Sequence, residues 1–149
     1  MKTKDKAKKG KAIEHYIIHE LLKNDFDVFV PILDTGVDMI IKDKEGGFVE
    51  LQVKSREIKG DQDVFFIKDF KPSHNFFIVC HNITTGDFFC MPSKKFYQMS
   101  TLNDKNQRVM TYEKVKGRSY YTLNNEGLAL LKKALESERN RLSGFLDRE

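Results

Sequence analysis

Residues 48–55 alternate without a break: Val49, Leu51 and Val53 fall on one side of an extended chain, and Glu50, Gln52 and Lys54 on the other. Successive side chains of a strand point to opposite faces, so this period of two specifies a β-strand with one apolar face to bury. Such a strand needs partners, and the sequence before it offers them. Residues 26–32 alternate Phe26, Val28, Val30 and Ile32, with Pro31 marking an end or an edge position. After a turn at Asp34-Thr35-Gly36, residues 37–42 make a second strand, and Lys44-Glu45-Gly46-Gly47 closes a hairpin onto residues 48–55.

The remainder supplies the layers that cover a sheet. Residues 11–23 read as a helix, with Ile13, Ile17 and Leu21 in an i, i+4 stripe and Asn24 as its stop. Glu14 sits at the border of that apolar face. Residues 64–67 predict a short aromatic strand, and residues 75–80 and 88–91 predict a hairpin around Thr84-Thr85-Gly86-Asp87. Pro92 and Ser93 start a helical turn through residues 94–99, and residues 101–107 read as a polar loop. Weaker strands are expected at residues 109–112 and 119–123. Asn124 or Asn125 then caps a last helix carrying Leu128, Leu131 and Leu135. A helix, a three-strand meander, more strands and a terminal helix describe an α+β or α/β domain with one central sheet.

Composition narrows the class. A chain of 149 residues is the size of one domain, and 9 Gly with 3 Pro exclude collagen-like and low-complexity chains. Two cysteines are too few for a disulfide framework, and the Lys-rich start lacks the apolar core of a secretory signal. These features predict a soluble cytoplasmic protein with buried free thiols.

The net charge of +4 is unevenly spread. Residues 1–11 hold six lysines (Lys2, Lys4, Lys6, Lys8, Lys9, Lys11) against Asp5, so they carry +5 and the rest carries −1. We therefore expect a basic flexible arm over residues 1–11 ahead of a single domain over 12–149. A basic arm on a neutral body suits a polyanion, because each neutralised phosphate releases counterions. A solubilising terminus would carry the same charge. Residues 105–118 form a second basic stretch, with Lys105, Arg108, Lys114, Lys116 and Arg118 against Glu113, interleaved with Tyr112 and followed by Tyr120 and Tyr121.

The polar row of residues 48–55 carries the chemistry. It follows a hairpin whose first strand bears Asp38, and paired strands lie ~4.8 Å apart, so Asp38 can adjoin the row. Glu14, on a helix packed on the same sheet, completes a set of two carboxylates, an amide and an ammonium. Carboxylate and amide oxygens are hard ligands suited to Mg²⁺, and a lysine beside them can position or deprotonate a water. Gln52 lies ~6.6 Å from Lys54 along the strand and Glu50 ~13 Å, so Gln52 shares Lys54's surroundings and Glu50 faces substrate at most. Ser55 and Arg56, next along, are placed to donate to a phosphate oxygen.

Gly10-x3-Glu14, Gly36-Val37-Asp38-Met39-Ile40-Ile41 and Leu51-Gln52-Val53-Lys54-Ser55 together resemble the PD-(D/E)XK nuclease superfamily. The resemblance covers about the first third of the chain. It implies a restriction-endonuclease-like fold, a central mixed sheet flanked by an N-terminal and a C-terminal helix. It implies Asp38 as the central ligand of Mg²⁺ or Mn²⁺, Val53 as a carbonyl donor, Glu14 as an accessory acid and Lys54 as the catalytic lysine. Two positions depart from the usual pattern. Val37 stands where proline precedes the aspartate, and Gln52 stands where an acid is usual. Some homing-endonuclease-like branches are similar in carrying Gln-x-Lys. An amide in place of a carboxylate lowers metal affinity.

The expected function is metal-dependent hydrolysis of DNA phosphodiester bonds, with Glu14, Asp38, Gln52 and Lys54 as the working set. Lys8, Lys9, Lys11, Ser55, Arg56, Lys114, Lys116 and Arg118 are expected to hold nucleic acid, DNA first and RNA second. A homodimer is the economical way to cut both strands with one site per chain. The rival readings are a nucleic-acid-binding module on the same fold without catalysis, and an interaction domain with no nucleic-acid role. His15 and His19 have zinc-binding spacing but no third ligand, and read as surface residues. Cys80 and Cys90 are expected to face each other across a hairpin. One ring of each Phe pair (Phe65/Phe66, Phe76/Phe77, Phe88/Phe89) is expected in the core.

Overall fold

Apolar patterning accounts for most of the architecture. The structure, a computed structural model, describes residues 3–33 and 36–146. The Asp34-Thr35 part of the expected turn therefore lies outside the described residues, as does Lys2 of the basic segment. The chain runs α1 (Thr3–Lys23), β1 (Asp27–Phe29), β2 (Met39–Lys42), β3 (Phe48–Arg56), β4 (Val64–Lys68), β5 (Phe76–Asn82) and β6 (Phe88–Pro92). It continues through α2 (Ser93–Met99), β7 (Thr101–Leu102), β8 (Gln107–Thr111), α3 (Tyr112–Arg118), β9 (Tyr120–Tyr121) and α4 (Asn125–Leu146).

Six strands form a mixed sheet in the order β1-β2-β3-β5-β6-β9, and β4-β8-β7 form a second, three-stranded sheet. The β1–β2–β3 meander is antiparallel, with Met39 opposite Leu51 and Ile41 opposite Val49. β3 then pairs in parallel with β5, Gln52 beside Ile78 and Lys54 beside Cys80. A parallel neighbour requires a crossover, which β4 and its loops provide. All seven residues of β5 are buried, as its unbroken apolar run requires of a strand covered on both faces.

Two cores result. On one face Ile17 and Leu21 of α1 and Leu131 and Leu135 of α4 pack on Met39, Ile41, Val49, Leu51, Phe77 and Val79. On the other, Phe76, Ile78, Cys80, Phe89 and Met91 meet Phe65, Ile67, Phe96, Met110 and Val115 from the second sheet, α2 and α3. Both long helices thus share one face, and the small sheet covers the other.

Several local expectations change. Thr3 through Lys11, expected as a flexible arm, continue α1. Lysine and alanine are good helix formers, and a helix already nucleated by tertiary packing extends through them at little cost. The helix stops where expected: Asn24 Nδ2 donates to the Glu20 carbonyl at 2.8 Å, and Asp25 takes a left-handed φ of 68°. Residues 112–118 form a helix, not a strand and loop. Thr111 caps it, its Oγ1 accepting from the Lys114 N–H at 3.4 Å. Residues 101–107 include the short strand β7, so they are not wholly loop. Asn124 caps α4 through the Gly127 N–H. Cys90 pairs with Val79 while Cys80 pairs with Phe89, so the two thiols lie on opposite faces of the sheet and do not face each other. Both are free and buried, and burial pushes both up, Cys90 to about 12. Phe65 is core and Phe66 exposed, but Phe76 and Phe77 are both buried because β5 has no open face. Among the described residues no helix is long and apolar enough to cross a membrane.

Candidate active site

The hairpin that carries Asp38 and Lys54 opens at a slip in strand alternation. Met39 packs in the helix-side core, whereas Val37, two residues earlier, packs against the other core. Residues two apart on a regular strand share a face, so the chain turns at Asp38. Asp38 still donates its N–H to the Leu51 carbonyl at 2.9 Å, one step off the Met39–Leu51 register. β2 begins only at Met39, and the Val53 N–H beyond it is taken by the Asp38 side chain, Oδ2 accepting at 2.6 Å.

That bond sets the electrostatics. Burial is the largest influence on Asp38 and pushes its carboxyl up to about 6. The Val53 N–H pulls it down, the Glu14 charge pushes it up, and Lys54 and Lys11 pull it down. Three of the expected residues thus bear on the Asp38 carboxyl: Val53 through its backbone, Glu14 and Lys54. Lys11 joins them through an ion pair with Glu14, Nζ to Oε2 at 3.2 Å.

The assembly differs from a polar row meeting a helix. The core shared by α1 and α4 covers Val49, Leu51 and Val53, the apolar side of β3, while Gln52 and Lys54 lie beside Ile78 and Cys80 of the opposite core. The site gathers at the open end of the hairpin, where Asp38 sits against strand backbone and feels Glu14 from one face and Lys54 from the other. Gln52 is half-buried on Lys54's side, one register step beyond Met39–Leu51 and so next to Asp38 on the neighbouring strand.

The expected phosphate contacts are placed less uniformly. Ser55 Oγ lies 3.2 Å from His81 Nδ1, and the Arg56 guanidinium sits 5.2 Å over the Phe66 ring. Lys8, Lys9 and Lys11 are exposed along α1. Lys116 Nζ is bonded to Asp61 at 2.8 Å and lies over the Tyr112 ring, Lys114 Nζ reaches the Met99 carbonyl at 3.4 Å, and Arg118 ends α3. The α1 lysines and the α3 cations flank the central sheet from opposite faces. They do not form one continuous surface. His15 and His19 are exposed.

Sequence reasoning missed His81. It is 6 % exposed and stacks on Phe88, and burial holds its imidazole below the usual histidine range. Its signal was a histidine inside an otherwise apolar strand.

The oxygen donors present suit a hard divalent cation: the Asp38 and Glu14 carboxylates, the Gln52 amide and the Val53 carbonyl. A half-buried carboxylate raised by desolvation is one whose charge a cation would compensate. Among the described residues no three His, Cys, Asp or Glu side chains cluster as a metal site, so any ion here relies on amide and backbone oxygen.

No protein-family model and no curated protein sequence matches the chain. Solved structures do. A bacterial homing endonuclease, I-Ssp6803I, superposes with a TM-score of 0.50 at 18% identity, over 68% of this chain and 74% of that one. Hjc, a Holliday junction resolvase from Archaeoglobus fulgidus, superposes with a TM-score of 0.55 at 13% identity, over 76% of this chain and 91% of that one. At such identities the likeness speaks for the fold, and with the mixed sheet and its flanking helices it establishes the restriction-endonuclease-like fold for this chain.

Proposed function

We propose that the protein is a metal-dependent nuclease that hydrolyses DNA phosphodiester bonds. The single observation that carries this reading is the Asp38 carboxylate, held by the Val53 N–H at 2.6 Å, raised to about 6, and within the fields of Glu14 and Lys54. Asp38, Gln52 and the Val53 carbonyl would hold Mg²⁺ or Mn²⁺, with Glu14 alongside. When bound, such an ion supplies Lewis acidity toward a phosphoryl oxygen and lowers the pKa of water.

The chain's own residues do the rest. The Val53 N–H fixes one oxygen of Asp38, leaving the other to a ligand. The Lys54 ammonium orients a water toward the phosphorus and stabilises the hydroxide that develops as the water's proton passes to solvent. Lys11 screens Glu14 from Asp38, which lowers the repulsion between the two acids. Exposed Lys8 and Lys9 meet the DNA backbone. Cutting both strands of a duplex calls for a homodimer, since each chain supplies one site.

Purified protein incubated with plasmid and Mg²⁺ or Mn²⁺ tests the reading. Cleavage is expected, and it should be lost in Asp38→Asn and Lys54→Ala; cleavage surviving either change overturns the assignment. Gln52, an amide where a third charge would strengthen metal binding, favours one alternative, a DNA-binding module without catalysis. Calorimetry separates the two, because that module binds DNA yet shows no Mn²⁺ binding dependent on Asp38.

A further inference from the structure

Between α1 and the β5–β6 hairpin lies a cleft of about 340 Å³ lined by Ala12, Ile13, Tyr16, His81, Gly86 and Phe88. Three of these side chains are rings in near-parallel array. His81 lies on Phe88 with centroids 4.1 Å apart and planes 23° apart, and Phe88 lies on Tyr16 at 5.7 Å and 21°. Core packing explains the two inner rings but not Tyr16, which leaves 50% of its surface exposed. Offset-parallel rings at these spacings are an arrangement to which a further flat heterocycle adds favourably.

The surroundings identify the occupant. Lys8 and Lys9 are exposed and lie four and three residues before Ala12, one turn of α1 above the cleft. A ligand with its ring in the cleft thus carries negative charge about one helical pitch, ~5 Å, away. His81 commits Nδ1 to Ser55 Oγ at 3.2 Å, so its other ring nitrogen offers a polar edge in a mostly apolar lining. The cleft also adjoins the carboxylate site by chain and by contact. Ile13 precedes Glu14 on α1, and Ser55, which follows Lys54, is the residue bonded to His81.

A planar ring tied to a phosphate backbone is a nucleotide, and a base within an intact duplex hides both of its faces. We infer that this cleft receives one unpaired nucleobase of a DNA strand, stacked on Tyr16, beside the site that handles its phosphate. The inference rests on the DNA reading of the neighbouring site and makes the favoured substrate one with a base out of its stack, such as a bulge, a junction or a single-stranded end.

The test is fluorescence anisotropy in EDTA with one labelled duplex, made with and without a central single-base bulge. The wild-type chain is expected to bind the bulged duplex more tightly. Tyr16→Ala should lose roughly 5- to 150-fold on the bulged duplex alone, the range for removing one base–aromatic stack, while Tyr16→Phe keeps the preference. Tyr16 is half exposed, so its truncation is compatible with folding, and unchanged circular dichroism of Tyr16→Ala checks this. Equal affinity of the wild type for both duplexes overturns the inference, as does equal weakening of both by Tyr16→Ala. Because EDTA removes any need for metal or turnover, absence of plasmid cleavage would strike the nuclease reading without touching this measurement.

Discussion

Two carboxylates, one half-buried and one buried, are shifted in opposite directions. Glu138 on α4 is 3% exposed, yet Arg141 holds it with bonds of 2.8 and 3.2 Å and His74 Nε2 lies 3.1 Å from the same group. The Arg141 hydrogen bonds draw its carboxyl below the usual carboxylate range, and His74 adds to that. Asp38 has one backbone N–H against its burial and an acid for a neighbour, and it is pushed up to about 6. Glu138 is a closed ion pair that fastens α4 to the loop before β5. Asp38 is a charge left short of compensation, the condition under which a cation binds well.

The largest expected effect separates the two directly. Asp38→Asn should lower Mn²⁺-dependent cleavage roughly 10³-fold or more, since it withdraws the central ligand of an ion worth several kcal/mol to the transition state. Thermal melting of the same variant should show no loss of stability. Lys54→Ala should cost about 10²–10³-fold in cleavage rate with DNA affinity in EDTA little changed, as removing one donor that stabilises developing negative charge does.

Glu138→Gln should reverse the pattern. Cleavage per folded molecule stays at the wild-type level, while denaturant titration reports a loss of about 1–3 kcal/mol, because Arg141 and His74 lose a charged partner.

The pH dependence of stability sharpens the contrast through its sign. Asp38 has a raised folded pKa, so its ionised form opposes folding at neutral pH and that opposition fades as pH falls through about 6. In metal-free protein Asp38→Asn should therefore melt above wild type at pH 7.5, and the gap should fall to about half by pH 5 and close only near pH 4, the ordinary aspartate range. Glu138 has a depressed folded pKa, so its contribution is present above the ordinary carboxylate range and lost only as pH falls through it. The gap between wild type and Glu138→Gln should thus hold at pH 5 and close only in stronger acid. Smallest of all, Lys8→Ala and Lys9→Ala should each flatten the salt dependence of DNA binding by up to ~0.9 in log–log slope.

Most of the fold was legible because burial writes a period into the chain. β3 and β5 announce themselves by alternation and by an unbroken apolar run, and the stripe Ile13, Ile17, Leu21 locates α1. Residues 112–118 were not legible as a helix, since Tyr112 and Val115 are its only buried positions and the charged residues around them read as loop. At the site, the partnership of Asp38 with the β3 strand followed from the hairpin. The slip between Val37 and Met39 did not, because it is a property of backbone pairing that leaves no mark on composition. His81 stood out only as a histidine in an apolar strand, and its meaning comes from parallel pairing with Ser55, a neighbour far away in the chain.

The hairpin is anchored at the end away from Asp38. Its turn closes on Asp43, whose Oδ1 accepts from the Glu45 and Gly47 N–H groups at 3.0 and 2.9 Å. Arg139 of α4 reaches over to Glu45 at 2.7 Å. A Cβ at Gly47 would collide with the Leu135 carbonyl, and main chain cannot step aside as a flexible side-chain end can. The helix thus grips the hairpin tip like the handle of a lever whose far arm is the Asp38–Val53 contact. A single methyl group added at Gly47, remote from any reacting atom, would be felt as misalignment at the other end.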